Sequence, residues 1–234
     1  MCVTVTVVSS YLLVHGAWSG GWVWDDLVPQ LDQAGHDVTV VEQLPSAGID
    51  PASLGDLTAD AAHVRHVLDE MDGPVVLVGH SYGGTVITEF ADHPKVRHSV
   101  YLAAFWPQRG QSQFDILGDG PPPAWIVPRG DGSMALTDDH EVMREVLCAD
   151  LDQERAAVIL SRLVLESVSS HAIPSTAPDR SHQTTYVICE HDRALPVSLQ
   201  EAMSANADHV VRVPAAHMVQ LSRPEELAEV LGRL

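Results

Sequence analysis

The residues of this chain best placed to do chemistry are a serine, an aspartate and a histidine that lie far apart in sequence. Ser81 sits in Gly79-His80-Ser81-Tyr82-Gly83, a G-x-S-x-G pattern, directly after the apolar run Val75 to Val78. A serine hydroxyl is a weak nucleophile until a base takes its proton, and a strained strand-to-helix turn lifts it clear of a sheet edge. Residues two before and two after such a serine must lack side chains that would collide with the turn, and Gly79 and Gly83 fill those places. The pattern is common by chance, so its setting carries the reading. Pro74 opens a β-branched run of strand length, and "TVITEFADHP" after Gly84 reads as a helix that stops at His93-Pro94.

The base should be an imidazole late in the chain, at the carboxyl end of a strand. Of the 13 histidines, His217 in "VVRVPAAHMVQLSRPEEL" has that placement. His63, His66, His93, His98, His140 and His209 read as surface or helix residues. A neutral imidazole can take the serine proton and return it to a departing alkoxide, provided that a carboxylate fixes its tautomer. Asp192 in "YVICEHDRALP" lies just past the preceding strand and is the candidate, with Glu190 as its rival. The strand after Ser81 runs into Phe105-Trp106-Pro107 and offers no carboxylate. Two backbone donors for an oxyanion are expected, the N–H of Tyr82 and the N–H of Ala17 in the loop "HGAWSGG". That glycine-rich loop contains neither G-x-G-x-x-G nor G-K-[ST], which argues against a phosphate site.

These groups need a sheet edge to meet on. Strands are predicted at 3 to 8, 11 to 15, 37 to 42, 75 to 78, 99 to 104, 184 to 190 and 209 to 214. Helical spacing recurs at Trp24, Leu27, Val28 and Leu31, and again at Leu57, Ala61, Val64 and Leu68. Further helices are expected at 196 to 205 and from Pro224. Strands alternating with helices specify an α/β fold with a mostly parallel central sheet covered on both faces. From Pro107 the rhythm breaks into a Pro- and Gly-rich segment, followed by helices predicted at 137 to 149 and 152 to 168. Phe114, Ile116, Leu117, Trp125, Ile126 and Val127 make this segment too apolar for disorder, so residues 107–182 are expected to be a cap inserted into a core of 1–106 and 183–234.

Composition excludes several partners. A chain of 234 residues with net charge −19 and only 13 Lys and Arg is unsuited to nucleic acid or an anionic membrane surface. Its N-terminus lacks a basic region and cleavage site, and no run of about 18 apolar residues occurs. Cys2, Cys148 and Cys189 are isolated, with no metal spacing, which suits a reducing, cytoplasmic location. No metal or organic cofactor is implied, and the expected partner is a small-molecule substrate. An apolar cap surface also allows a homodimer.

Ser81, Asp192 and His217 in that chain order, with "HGAW" near the start, resemble the α/β-hydrolase superfamily over nearly the whole chain outside the cap. "LLVHGAWSGGWVWDDLVPQLDQAGHDVTVV", "VGHSYGG" and "AHMVQLSRPEELAEVL" are similar to the branch holding plant methyl salicylate esterases, plant hydroxynitrile lyases and small bacterial esterase-like proteins. Lyases similar to the rubber-tree enzyme carry Thr after the histidine of the oxyanion loop and Lys after the catalytic histidine. Here those positions are Gly16 and Met218, the esterase-like choices, while Ser19 departs from the His common in this loop. The resemblance implies hydrolysis of a small hydrophobic or aromatic ester through an acyl-serine, with lactones and thioesters as near relatives. A hydroxynitrile lyase or a carbon–carbon bond hydrolase would use the same three side chains, and a receptor-like binding protein of this fold would turn over slowly. Gly16, Trp18, Phe105, Trp106, Trp125 and Met218, with Tyr82, are the residues expected around the substrate. Trp22 and Trp24 are expected to pack the first helix.

Overall fold

The computed structural model describes residues 8–234. The strand expected at 3 to 8 falls, apart from Val8, outside the described residues, as does Cys2. In chain order the strands are β1 (Ser10–Val14), β2 (Asp37–Val40), β3 (Ala47–Gly48), β4 (Val75–His80), β5 (Val96–Leu102), β6 (Ile126–Pro128), β7 (Ser133–Leu136), β8 (Leu165–Ser167), β9 (Gln183–Cys189) and β10 (His209–Val213). The helices are α1 (Val28–Gln33), α2 (Leu57–Glu70), α3 (Gly83–Thr88), α4 (Gln113–Leu117), α5 (His140–Leu147), α6 (Gln153–Leu160), α7 (Val168–Ala172), α8 (Val197–Ser204), α9 (Val219–Ser222) and α10 (Pro224–Leu231).

Six strands form a sheet in the order β10-β9-β5-β4-β1-β2, and every neighbouring pair is parallel. Strands buried on both faces must be apolar at successive positions, and β1 shows how each face is served. Leu12 and Val14 join a core with Leu77, Val86, Phe90 and Tyr186. Tyr11 and Leu13 point the other way, into a core with Trp24, Val76, Val78 and Leu227. The expected α/β class and parallel sheet are therefore present, with helices covering both faces.

Two helical predictions need correction. The helix after Ser81 ends at Thr88, and i→i+3 turns continue to Ala91. Thr88 Oγ1 donates back to the Gly84 carbonyl at 2.8 Å, a local bond that competes with further α-helix. The helix expected over 152 to 168 is α6, which stops at Leu160. Leu160, Leu163 and Val164 keep a helical spacing, but the Val164 N–H donates to the Trp18 carbonyl at 2.8 Å. The next residues pair as β8 with β3 and β7. Tertiary hydrogen bonds here override local periodicity.

Between β5 and β9 the chain builds a small antiparallel sheet, β6-β7-β8, which β3 extends from the other part of the chain. Helices α5 and α6 pack together through Met143, Leu147, Ala156 and Ile159. Met218 and Leu221, which follow His217, join that same apolar cluster. The segment is thus stitched to the loop that carries the candidate base.

Candidate active site

Ser81 stands between β4 and α3 with φ of +53°, in the left-handed region that a β-substituted residue rarely occupies. Neighbouring backbone holds it there. Its N–H donates to the Leu102 carbonyl at 3.2 Å, and its own carbonyl accepts from Phe105 N–H at 3.0 Å and Gly84 N–H at 3.1 Å. The flanking glycines are required sterically. A Cβ on Gly79 would lie 2.5 Å from the Gly83 carbonyl oxygen, and one on Gly83 would lie 2.5 Å from the Val14 carbonyl oxygen.

His217 follows β10, and its Nδ1 lies 2.8 Å from Asp192 Oδ2. Because an ionised carboxylate only accepts, Nδ1–H donates, and Nε2 is left with a lone pair. Asp192 is aimed by its own donors. Oδ1 accepts the N–H groups of Ala194 and Leu195 at 2.8 and 2.9 Å, and Oδ2 also accepts Gln200 Nε2–H at 3.0 Å. Glu190, the rival, is exposed and paired with Arg212 Nε at 2.9 Å. Ser81 and His217 line one cavity, although no hydrogen bond joins their side chains among the described residues. Catalytic hydrogen bonds of this kind commonly tighten only as substrate binds.

The loop carrying His217 is anchored on three sides. His80 Nε2–H donates to the His217 carbonyl at 2.9 Å, with the two rings 4.7 Å apart. Asp150 Oδ2 accepts the Ala216 N–H at 2.9 Å, and the Leu147 carbonyl accepts the Met218 N–H at 3.2 Å. Burial, reinforced by the adjacent His217, pushes the His80 imidazole well below its usual range and keeps it neutral.

Ala17 and Tyr82 line the same cavity, and among the described residues neither backbone N–H is given to a protein acceptor. Gly16 allows Ser81 and the loop to approach, since a Cβ there would lie 2.9 Å from the Ser81 Cβ. His15 Nδ1–H donates to the Gly16 carbonyl at 2.8 Å and its Nε2 accepts Leu44 N–H at 3.0 Å. Burial lowers its pKa to about 4.

The cavity holds about 600 Å³. Gly16, Trp18, Phe105, Trp125 and Met218 border it, together with Ser81, Tyr82 and His217. Trp106 does not. Its ring stacks on Tyr101 at 4.0 Å and lies under the Arg180 guanidinium, 4.9 Å from it. Trp24 is fully buried in the core and Trp22 packs under Arg162. The cavity also takes in Phe114, Leu117, Leu147 and Leu199, so its wall is largely apolar.

Sequence reading missed a buried polar cluster behind this wall. Tyr82 Oη–H donates to Asp60 Oδ2 at 2.6 Å, and the Ser46 N–H donates to Asp60 Oδ1 at 2.8 Å. Burial raises the Asp60 carboxyl to about 7, and the same burial raises the Tyr82 phenol well above its usual range. His171 stacks on the Tyr82 ring at 4.9 Å, with its Nε2 3.7 Å from Glu166 Oε1. Glu166 is completely buried. The sequence signal was a lone acidic residue in the apolar stretch "RLVLESV", which reads equally well as an exposed helix position. Among the described residues no three His, Cys, Asp or Glu side chains are grouped to hold a metal, and no helix is long and apolar enough to cross a membrane.

Comparison with known proteins finds relatives that match over nearly the whole chain. A carbendazim-hydrolysing esterase of Nocardioides sp. (strain SG-4G) is 31% identical over 97% of this chain and 99% of its own. An α-hydroxynitrile lyase of Arabidopsis thaliana is 29% identical over 96% of each chain. The crystal structure of a pyrethroid hydrolase from Sphingobium faniae JZ-2 superposes with a TM-score of 0.86 at 26% identity, covering 97% of both chains. The model of the alpha/beta hydrolase family matches residues 11–230, and the chain belongs to that family.

Proposed function

We propose that this protein is a serine esterase that cleaves a small hydrophobic or aromatic carboxylic ester by way of an acyl-serine. The observation that carries the reading is the 2.8 Å His217–Asp192 pair, placed on the same cavity as a strained Ser81 and two unclaimed backbone N–H groups. His217 Nε2 takes the Ser81 proton as Oγ bonds to the substrate carbonyl carbon, and the Ala17 and Tyr82 N–H groups receive the oxyanion. The carbonyl re-forms, the ester C–O bond breaks, and the imidazolium proton leaves on the alcohol. Water deprotonated by His217 then attacks the acyl carbon, and the acid departs as Ser81 regains its proton.

Asp192 stabilises the imidazolium and is not itself protonated. The largely apolar wall favours substrates whose acyl or alcohol part is apolar. Relatives and structural neighbours named as esterases and hydrolases support this order of preference. Met218 stands where cyanide departure would call for an ammonium group, which weighs against the lyase reading. Hydrolysis of p-nitrophenyl acetate that falls to the background rate in Ser81→Ala is the expected result. Hydrolysis unaffected by that substitution would exclude Ser81 as nucleophile.

A further inference from the structure

Trp18, the residue after the Ala17 donor, is held in an unusual way. Its φ is +58°, in the left-handed region that disfavours a bulky side chain. Its N–H donates to Glu166 Oε2 at 3.1 Å, its carbonyl accepts the Val164 N–H at 2.8 Å, and its Nε1–H donates to the Met134 carbonyl at 3.1 Å. All three partners lie in the segment between β5 and β9. A strained conformation persists only where its surroundings over-determine it, and the Glu166 carboxylate is the one side chain among these restraints.

Glu166 is itself fixed. It is completely buried in β8, and its Oε1 accepts Ser170 Oγ–H at 2.8 Å. Its neighbour His171 stacks on Tyr82, whose N–H is the other proposed oxyanion donor. One buried carboxylate thus touches the loop bearing the first donor and adjoins the ring packed on the second. Glu166 itself is not among the residues that line the cavity of Ser81 and His217.

We propose that Glu166 is a positioning residue that sets the oxyanion hole from the inserted segment, by accepting the Trp18 N–H and so fixing the direction of the Ala17 N–H. The inference rests on the serine-esterase reading. Its requirement is an oxygen acceptor at the Oε2 position; a negative charge there would oppose an oxyanion. The amide of Glu166→Gln can present the needed oxygen to Trp18. Glu166→Asp keeps the charge but draws the acceptor back by one methylene, beyond hydrogen-bond reach of an N–H now 3.1 Å away.

The test measures kcat and KM for p-nitrophenyl acetate, and inhibition by a phenylboronic acid, in wild type, Glu166→Gln and Glu166→Asp. Glu166→Gln is expected to match or exceed the wild-type kcat. Glu166→Asp is expected to lose about 100-fold in kcat with little change in KM, as for a reacting group displaced by about 1 Å, and to bind the boronate more weakly by a similar factor. Wild-type kcat in Glu166→Asp, or a loss confined to KM, would overturn the proposal. Should Glu166→Asp fail to fold, hydrogen exchange of the Trp18 amide decides. Protection in wild type and Glu166→Gln supports the bond, and exchange at the rate of a free amide in wild type refutes it. Activity that survives Ser81→Ala would instead sink the esterase reading, whereas activity lost in Ser81→Ala but intact in Glu166→Asp would sink only this one.

Discussion

At the scale of single residues, the site depends on which atoms are left free. Asp192 spends three hydrogen bonds on being held still, and its contact with His217 Nδ1 then fixes where the imidazole lone pair lies. Asp192→Asn should preserve the fold, because Oδ1 can still accept from Ala194 and Leu195. Turning the amide NH2 toward Nδ1 would favour the opposite tautomer, with the proton on the nitrogen that should act as base. The expected loss in kcat is roughly 10⁴-fold, measured on p-nitrophenyl acetate. Retention of even a tenth of wild-type activity would contradict this role. Ser81, Asp192 and His217 were legible because each sits at a strand end with a side chain of suitable chemistry. Asp60, Glu166 and His171 were not legible, since what distinguishes them is burial, and burial of a lone acidic or imidazole group leaves no periodic trace.

At the scale of elements, the two parts of the chain differ in how plainly sequence specified them. β4 opens with the apolar run Val75 to Val78, and α2 has Leu57, Val64 and Leu68 on one buried face, so local pattern and tertiary environment agree. β6, β7 and β8 are three or four residues long, too short for alternation to register. β8 exists because it pairs with β3, which lies over a hundred residues earlier. Trp106 lies away from the cavity because it packs on Arg180, more than seventy residues later, a contact that local sequence does not announce. The segment between β5 and β9 contributes structurally through Met143 and Leu147, which share an apolar cluster with Met218 and Leu221. Leu147→Ala is expected to cost about 2–5 kcal/mol in urea denaturation, as for a buried leucine whose cavity does not collapse. A change below 0.5 kcal/mol would mean that this cluster does not couple the segment to the His217 loop.

At the scale of the whole molecule, buried ionisable groups set the pH dependence of stability. Burial holds His15, His98 and His182 at about 4 and His80 well below its usual value, while the unfolded chain protonates its histidines near 6.5. Between those values the unfolded state binds more protons, so these groups make stability fall as pH drops from about 6.5 to about 4. Asp60 works in the opposite sense. Raised to about 7 by burial, it stays protonated in the folded state while the unfolded carboxyl ionises near 3.8, so its contribution falls as pH rises through that interval. Four imidazoles against one raised carboxyl predict net acid destabilisation. Thermal melts at pH 7 and pH 5, in salt sufficient to screen the −19 charge, should give the lower midpoint at pH 5. An equal or higher midpoint there would show that the histidines are not held neutral.

Passage of a proton from Ser81 to His217 is what makes the hydroxyl a nucleophile, and reaction with a fluorophosphonate reads that step. A single adduct on the peptide containing Ser81 is expected by mass spectrometry, absent in Ser81→Ala and formed far more slowly in His217→Ala. Modification at another residue, or labelling of Ser81 at an unchanged rate without the imidazole, would contradict it.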